Sequence, residues 1–407
     1  MTEQINTPEL RFPEFSYVWK STLLGDVSYI TKLAGFEFTK YVNYSNKGKV
    51  PAIRGLNVKN GRFNFKELKY IDDSDFSKLS RSKLLPKDIV FTYVGTIGNA
   101  AIVPNNTNWY LAPNVAKIRS TNVDPKFLLQ ILINPNFKRR EIFSWITTSS
   151  QPALSMSNIR NFKLYLPSIM EQEKLGEFFS KLDRQIELEE KKLELLEQQK
   201  KGYMQKIFSQ ELRFKDDNGN DYPNWAVVKL KDILSERKEY ASKTENYPHA
   251  TLSTSGITLK SDRYNRDFLV KDKSKKYKVT IMNDICYNPA NLKFGVITRN
   301  RIGSVIFSPI YITFEVNNGY SPLFIELLVT RNDFINRVRK YEEGTVYERM
   351  AVKPEDFLNY ETEIPCLEEQ KKIGDFLVKI DKLIENQSKK IDCLKQRKQG
   401  LLQKMFV

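Results

Sequence analysis

A single histidine, His249, and three scattered cysteines, Cys286, Cys366 and Cys393, are all the chain holds of the side chains that most often do acid–base or thiol chemistry. A histidine pair is excluded by count, and no Cys-x-x-Cys spacing offers a zinc site or a redox couple. A hydrolytic triad would have only His249 as its base, and nothing assembles around it in sequence. There is no GxxxxGK[ST] phosphate loop and no GxGxxG turn. Glu236-Arg237-Lys238 could end a nuclease-like acidic cluster, but with 28% charged residues such triplets arise by chance. His249 therefore reads as structural and the cysteines as reduced thiols.

The segment YNPANLKFG, from Tyr287, has the outline of the Asn-Pro-Pro-aromatic motif of adenine methyltransferases. Ala290 stands where the second proline belongs and Asn291 where the aromatic belongs, so the segment reads as a loop. The expectation is a chain that catalyses nothing, with no catalytic residue, no metal site and no cofactor of its own.

Charge points elsewhere. The 407 residues carry a net charge of +16, distributed as +11 over 1–170, −1 over 171–208, +2 over 209–367 and +4 over 368–407. A basic block inside a chain that is 41% hydrophobic is a folded basic surface, and its natural partner is nucleic acid, ahead of an anionic membrane. No apolar run approaches the ~18 residues of a membrane span. The opening MTEQINTPELRFPEF does not read as a signal peptide, so a soluble, cytoplasmic chain is expected.

Elements that could present such a surface emerge from an internal repeat. Pro167–Phe208 and Pro365–Phe406 align without a gap at a shift of 198, with 19 of 42 positions identical. ELRF occurs at Glu9 and again at Glu211, each followed by a tryptophan, Trp19 or Trp225. Within the long repeat, apolar residues step by three and four: Leu175, Phe179, Leu182, Ile186, Leu193 and Leu196 in the first copy, Ile373, Leu377, Ile380, Ile384, Ile391 and Leu394 in the second. This is a heptad seam of about five heptads, broken in both copies at Glu189/Gln387 and Lys200/Lys398. Shared breaks imply two helices packed as a matched pair.

Between the repeats, KDIVFTYVG and SVIFSPIYITFEV read as strands, PKFLLQILINPNF and SPLFIELLVTRNDF as helices. The expected fold class is α+β: two mixed domains, 1–165 and 210–363, separated by two long helices, 166–209 and 364–407, pairing as an antiparallel coiled coil in a pseudo-twofold tandem duplication.

Two variable domains, each followed by a P-x-x-E-Q-x-K-[IL]-G-x-F helix, resemble the specificity subunit of type I restriction-modification enzymes. The resemblance covers essentially the whole chain; SSQPALSMSNIRNFKLYLP also matches the family's usual domain end, while YERMAVKPEDFLNYETEIP departs from it at Arg349-Met350. It implies two target-recognition domains, each reading half of a split, asymmetric site in double-stranded DNA, held apart by helices that bind two modification (methyltransferase) subunits. Restriction (translocase/nuclease) subunits would join that core, and S-adenosylmethionine, ATP and Mg would belong to those partners. The alternatives are a DNA-recognition subunit of another modification system and a coiled-coil scaffold that binds no nucleic acid.

Under that resemblance, base edges are read by Arg, Asn and Gln, while phosphates take Lys, Ser, Thr and main-chain amides. The first-domain candidates are Arg54, Asn57, Lys59, Asn60 and Arg62, then Tyr93 and Thr96, then Ser149, Ser150 and Gln151. In the second domain they are Ser253, Thr254, Ser255, Lys275, Lys276, Asn291 and Lys293.

Overall fold

The computed structural model describes residues 6–146, 152–242, 247–260, 276–341 and 351–407. The chain forms two compact units, Met1–Glu194 with Asn386–Val407, and Leu195–Glu385. Both boundaries fall within the long helices, which run Ile169–Phe208 and Leu367–Met405. As the prolines imply, each helix starts two residues after Pro167 or Pro365, since proline's ring and missing N–H bar it from a helix interior and leave it at or before the start.

In the first unit the strands include β1 (Lys20–Leu23), β2 (Ser28–Lys32), β3 (Val58–Lys59), β4 (Arg62–Phe63), β5 (Ile89–Thr92), β6 (Ala100–Ile102), β7 (Val115–Ser120) and β8 (Lys163–Leu166), beside a separate three-stranded sheet of Pro51–Ile53, Lys69–Tyr70 and Tyr110–Leu111. An antiparallel sheet runs in the order β2-β7-β5-β6, with Ile118 opposite Ile30 and Phe91 opposite Ala100. Helix α1 (Pro125–Ile133) packs on β6; Asp124 caps it by accepting from the Phe127 amide, and every residue from Phe127 to Ile133 is buried. The segment read as one helix, PKFLLQILINPNF, breaks at Asn134, whose side chain accepts from the Asn136 amide to start a new turn.

The second unit repeats this frame. Its strands include β9 (Ala226–Lys229), β10 (Leu234–Glu236), β11 (Ala250–Ser253), β12 (Gly256–Leu259), β13 (Ile285–Tyr287), β14 (Ile297–Arg299), β15 (Ile312–Val316) and β16 (Glu361–Ile364), beside a separate three-stranded sheet of Tyr240–Ser242, Lys276–Thr280 and Val305–Phe307. The sheet order β10-β15-β13-β14 reproduces β2-β7-β5-β6, and β9 pairs with β16 as β1 pairs with β8. Helix α2 (Pro322–Val329), capped by Ser321, stands where α1 stands in the first unit.

Each unit is closed by the start of the long helix that follows it and the end of the other one. In the first, Leu175 and Phe179 share a core with Trp19, Phe127, Leu402, Met405 and Phe406, and the Phe406 ring stacks on Phe127 at 5.4 Å. In the second, Ile373, Leu377 and Ile380 share a core with Ile207 and Phe324, and Phe208 lies 5.6 Å from Phe324. The positions expected to form a helix–helix seam thus do more than that: the first turns of each seam also belong to domain cores. Farther along, Ile186 and Ile391 are buried, while Leu193, Leu196 and Leu394 are only half-buried.

The repeated motifs are fasteners. Arg11 of the first ELRF donates to both carboxylate oxygens of Glu171, at 2.7 and 2.6 Å, and Arg213 of the second donates to both of Glu369, at 2.8 and 2.8 Å. The neighbouring glutamine ties the helix start to the sheet domain. Gln172 donates to the Pro167 carbonyl and accepts from the Asp124 amide, and Gln370 does the same with Pro365 and Ser321. The leucine of ELRF also repeats its main-chain bond, Leu10 to the Lys404 carbonyl at 2.8 Å and Leu212 to the Lys206 carbonyl at 3.0 Å.

Contacts between the long helices run in opposite directions along the two helices. In the first unit Asp183 meets Lys398 at 2.5 Å and Glu190 meets Lys395 at 2.6 Å. In the second, Lys200 meets Asp381 at 2.5 Å and Tyr203 lies edge-on to Phe376.

Candidate nucleic-acid interface

In the first unit, two chain reversals lie side by side. The β3–β4 hairpin turns through Asn60 and Gly61, where Gly61 has φ +82°, a conformation that glycine adopts without strain. The β5–β6 connection turns through Gly95 and Gly98, held by Thr92, whose hydroxyl accepts from the Asn99 amide at 2.9 Å. The two are joined by the Gly61 amide donating to the Ala100 carbonyl and by Asn99 Nδ2 donating to the Val58 carbonyl. Lys59, Asn60, Arg62 and Thr96 are exposed on this surface, with Tyr93 half-buried beneath and the Lys32 ammonium 5.4 Å from its ring centre.

Two members of the expected cluster face elsewhere. Asn57 is fully buried: its Oδ1 accepts from the Arg54 amide, and its Nδ2 donates to the carbonyls of Asn64 and Lys66. It shapes the loop and has no surface to offer a base. Arg54 is half-buried and donates to the Glu67 carbonyl. Arg62 stays exposed but is paired with Glu190 of the first long helix at 2.5 Å. Ser149, Ser150 and Gln151 lie outside the described residues; Ala153, just beyond them, bridges to Val94 beside the β5–β6 turn.

In the second unit, β11 and β12 turn through Thr254 and Ser255, and the Ser253 hydroxyl is spent locally on Ser255, at 2.8 Å, and on the Gly256 carbonyl. YNPANLKFG contains a 3-10 helix, Pro289–Phe294, rather than an irregular loop; Asn288 accepts from the Ala290 amide to cap it. Lys293 sits over the ring of Phe294, which is 63% exposed. Leu252 and Ile257 of the hairpin share a small core with Val296, so the Ser253–Ser255 turn and the Asn291–Lys293 turn are supported by one cluster. Lys276 opens a strand paired with Ser242, and nothing brings it to that cluster; Lys275 lies outside the described residues. Phe294 was not among the sequence candidates, although an aromatic flanked by Lys293 and Gly295 was the available signal.

Cys286 and His249 sit in structural surroundings, while Cys366 is partly buried and Cys393 exposed. Burial pushes the Cys286 thiol up to about 12, away from the range of a nucleophile. His249 packs edge-on to Tyr277 with ring centres 4.4 Å apart. Among the described residues no group of His, Cys, Asp and Glu could hold a metal ion, and no helix is long and apolar enough to cross a membrane.

The family model described as type I restriction modification DNA specificity domain matches residues 18–198. The type I restriction enzyme MjaX specificity subunit of Methanocaldococcus jannaschii is 23% identical over 88% of this chain and 87% of its own length. The MjaVIII specificity subunit of the same organism is 24% identical over 97% of this chain and 92% of its own. Among solved structures, the S subunit of the type I restriction-modification system of M. genitalium superposes with a TM-score of 0.58 at 14% identity, covering 98% of this chain and 99% of that one.

Proposed function

We propose that the chain is a specificity subunit of a type I restriction-modification enzyme, as its similarity to such subunits supports, and that it reads a bipartite, asymmetric site in double-stranded DNA, each sheet domain taking one half. The long helices act as one antiparallel coiled coil of a tandem duplication and dock two copies of a modification subunit. The reaction then belongs to the partners: S-adenosylmethionine serves the modification subunits, and ATP and Mg serve the restriction subunits, in the cytoplasm.

One observation carries this reading. Two sheets of identical strand order are closed by identical fasteners, while the turns they display differ. Lys59, Asn60 and Arg62 occupy the first unit's hairpin, and Ser253, Thr254 and Ser255 that of the second. A repeated frame suits a partner bound twice; unlike turns suit two different half-sites. Exposed Leu188, Leu195 and Leu383 on the long helices supply apolar surface for such partners.

The test is reconstitution. The purified chain alone should neither methylate nor cleave DNA, and adding the modification subunit should give sequence-specific adenine methylation. Methyl transfer by the chain alone, free of contaminating enzyme, would refute the assignment. Within the first domain, replacing Lys59 and Arg62 by alanine should flatten the salt dependence of duplex binding by about one to two units of slope. The Glu190 pairing of Arg62 places the result toward one.

A further inference from the structure

We infer that Lys138 is a phosphodiester-binding residue, held desolvated and without an anionic partner among the described residues, and taking a backbone phosphate of duplex DNA as its counter-ion. This rests on the DNA-reading role proposed above and extends it to a residue outside the sequence candidates.

Three lysines among the described residues are buried: Lys117 at 3% exposure, Lys138 at 9% and Lys278 at 1%. Two have more partners. Lys117 donates to two carbonyls, those of Arg81 and Lys83, at 2.7 and 2.9 Å, although burial still pushes its pKa down and the nearby Asp88 is paired with Arg119. Lys278 meets Glu236 at 3.1 Å. Lys138 has one neutral partner, the Asn60 carboxamide oxygen, at 2.6 Å. An ammonium carries three donors and a full charge, and burying it unpaired is costly. Burial alone pushes its pKa down to about 8, with no carboxylate acting to raise it. Nearby acids are committed elsewhere: Glu141 to the Lys163 amide and Arg140, Glu190 to Arg62 and Lys395.

Its location gives that cost a use. The ammonium reaches the Asn60–Gly61 turn, and Lys138 Cε lies 3.6 Å from where a Cβ on Gly98 would sit. It is thus beneath the junction of the two reversals that display Lys59, Arg62 and Thr96. Lys138 opens a π-helical turn, Lys138–Ile142, a geometry that recurs at functional sites. By holding Asn60 Oδ1 inward, it also leaves the Asn60 amide nitrogen as an outward donor. A phosphate set against this junction meets a dehydrated cation, which gains more from pairing than a solvated surface lysine does.

The experiment compares the full chain with Lys138→Met, using a short duplex of arbitrary sequence and thermal unfolding without DNA. The variant should unfold at a higher temperature, because an unpaired buried charge is gone. Its binding should have a salt slope shallower by about one unit. Lys138→Gln should show the same slope change if methionine disturbs the packing. Unfolding at a lower temperature with unchanged binding would mark Lys138 as structural and overturn the assignment. Equal thermal protection of the wild type by inorganic phosphate and by duplex, at matched ionic strength, would overturn the duplex backbone as its ligand. A wild-type chain that binds no duplex at any salt would overturn the DNA role and this assignment with it.

Discussion

Gln387 donates to Glu189 at both its carboxylate, 2.7 Å, and its main-chain carbonyl, 3.0 Å, although the two residues occupy the same position in copies 198 residues apart. A position that meets its own counterpart is where an antiparallel pair of like helices has its midpoint. The difference between the copies there, Glu against Gln, turns what would be a clash of carboxylates into a hydrogen bond.

That pair predicts an inverted pH response. The Gln387 bond, then Lys390, holds the Glu189 carboxyl below its usual range. A depressed carboxyl contributes stability above its unfolded pKa and loses it as pH falls through the folded value. Gln387→Glu sets two carboxylates together, so one must have a raised pKa and the penalty must fade on acidification. Between neutral pH and pH about 5, unfolding of the variant should approach that of the wild type from below. A stability deficit that is constant with pH would show that the two side chains are not in contact.

Arg11 and Glu171 predict a large cost for a surface-looking motif. Glu171 is 1% exposed, so Arg11→Met strands a buried carboxylate and should cost about 3–5 kcal/mol in denaturant unfolding. Replacing both residues by apolar ones should restore much of it, a coupling that a double-mutant cycle measures. Arg213→Met should act equally through Glu369, which is fully buried.

The repeated glycines separate into two kinds. A Cβ on Gly176 would lie 2.5 Å from Asp124 Oδ1 and 2.8 Å from the Phe127 nitrogen, so Gly176→Ala should push the long helix off the start of α1, costing about 1–3 kcal/mol. At Gly374 the obstacle is the flexible Leu323 side chain, and the cost should be smaller. Gly202 and Gly400 have nothing within 4 Å, so alanine there should stabilise the isolated chain by up to about 1 kcal/mol through helix propensity. If modification subunits approach these bare positions, the same alanines should weaken assembly, which titration of the partner reads directly.

Much of the frame was legible because it is local or repeated. Proline boundaries and the seam breaks at 189/387 and 200/398 follow from short spacings. The ion partners of Lys398 and Lys200, Asp183 and Asp381, were visible as repeated aspartates but not as partners, because a repeat does not state the register of the pairing. The site was less legible. Asn57 and Asn60 are three residues apart in a similar context, yet one is sealed under a loop and the other exposed at a turn. Lys138 sits in a run of three basic residues that reads as solvated; only the hairpin and the Gly98 turn closing over it make it buried.

The central claim is that two unlike reading domains stand on one repeated frame. It is tested most directly by sequencing the methylome of cells in which residues 20–165 are exchanged for those of a relative, with the modification subunit supplied. Fasteners inside and outside the exchange, Gln172 to the Asp124 amide and Phe406 on Phe127, use main-chain groups and an aromatic that the replacement must retain. The account predicts methylated sites with one half changed and the other half intact. Sites in which both halves change together, or neither does, would contradict it.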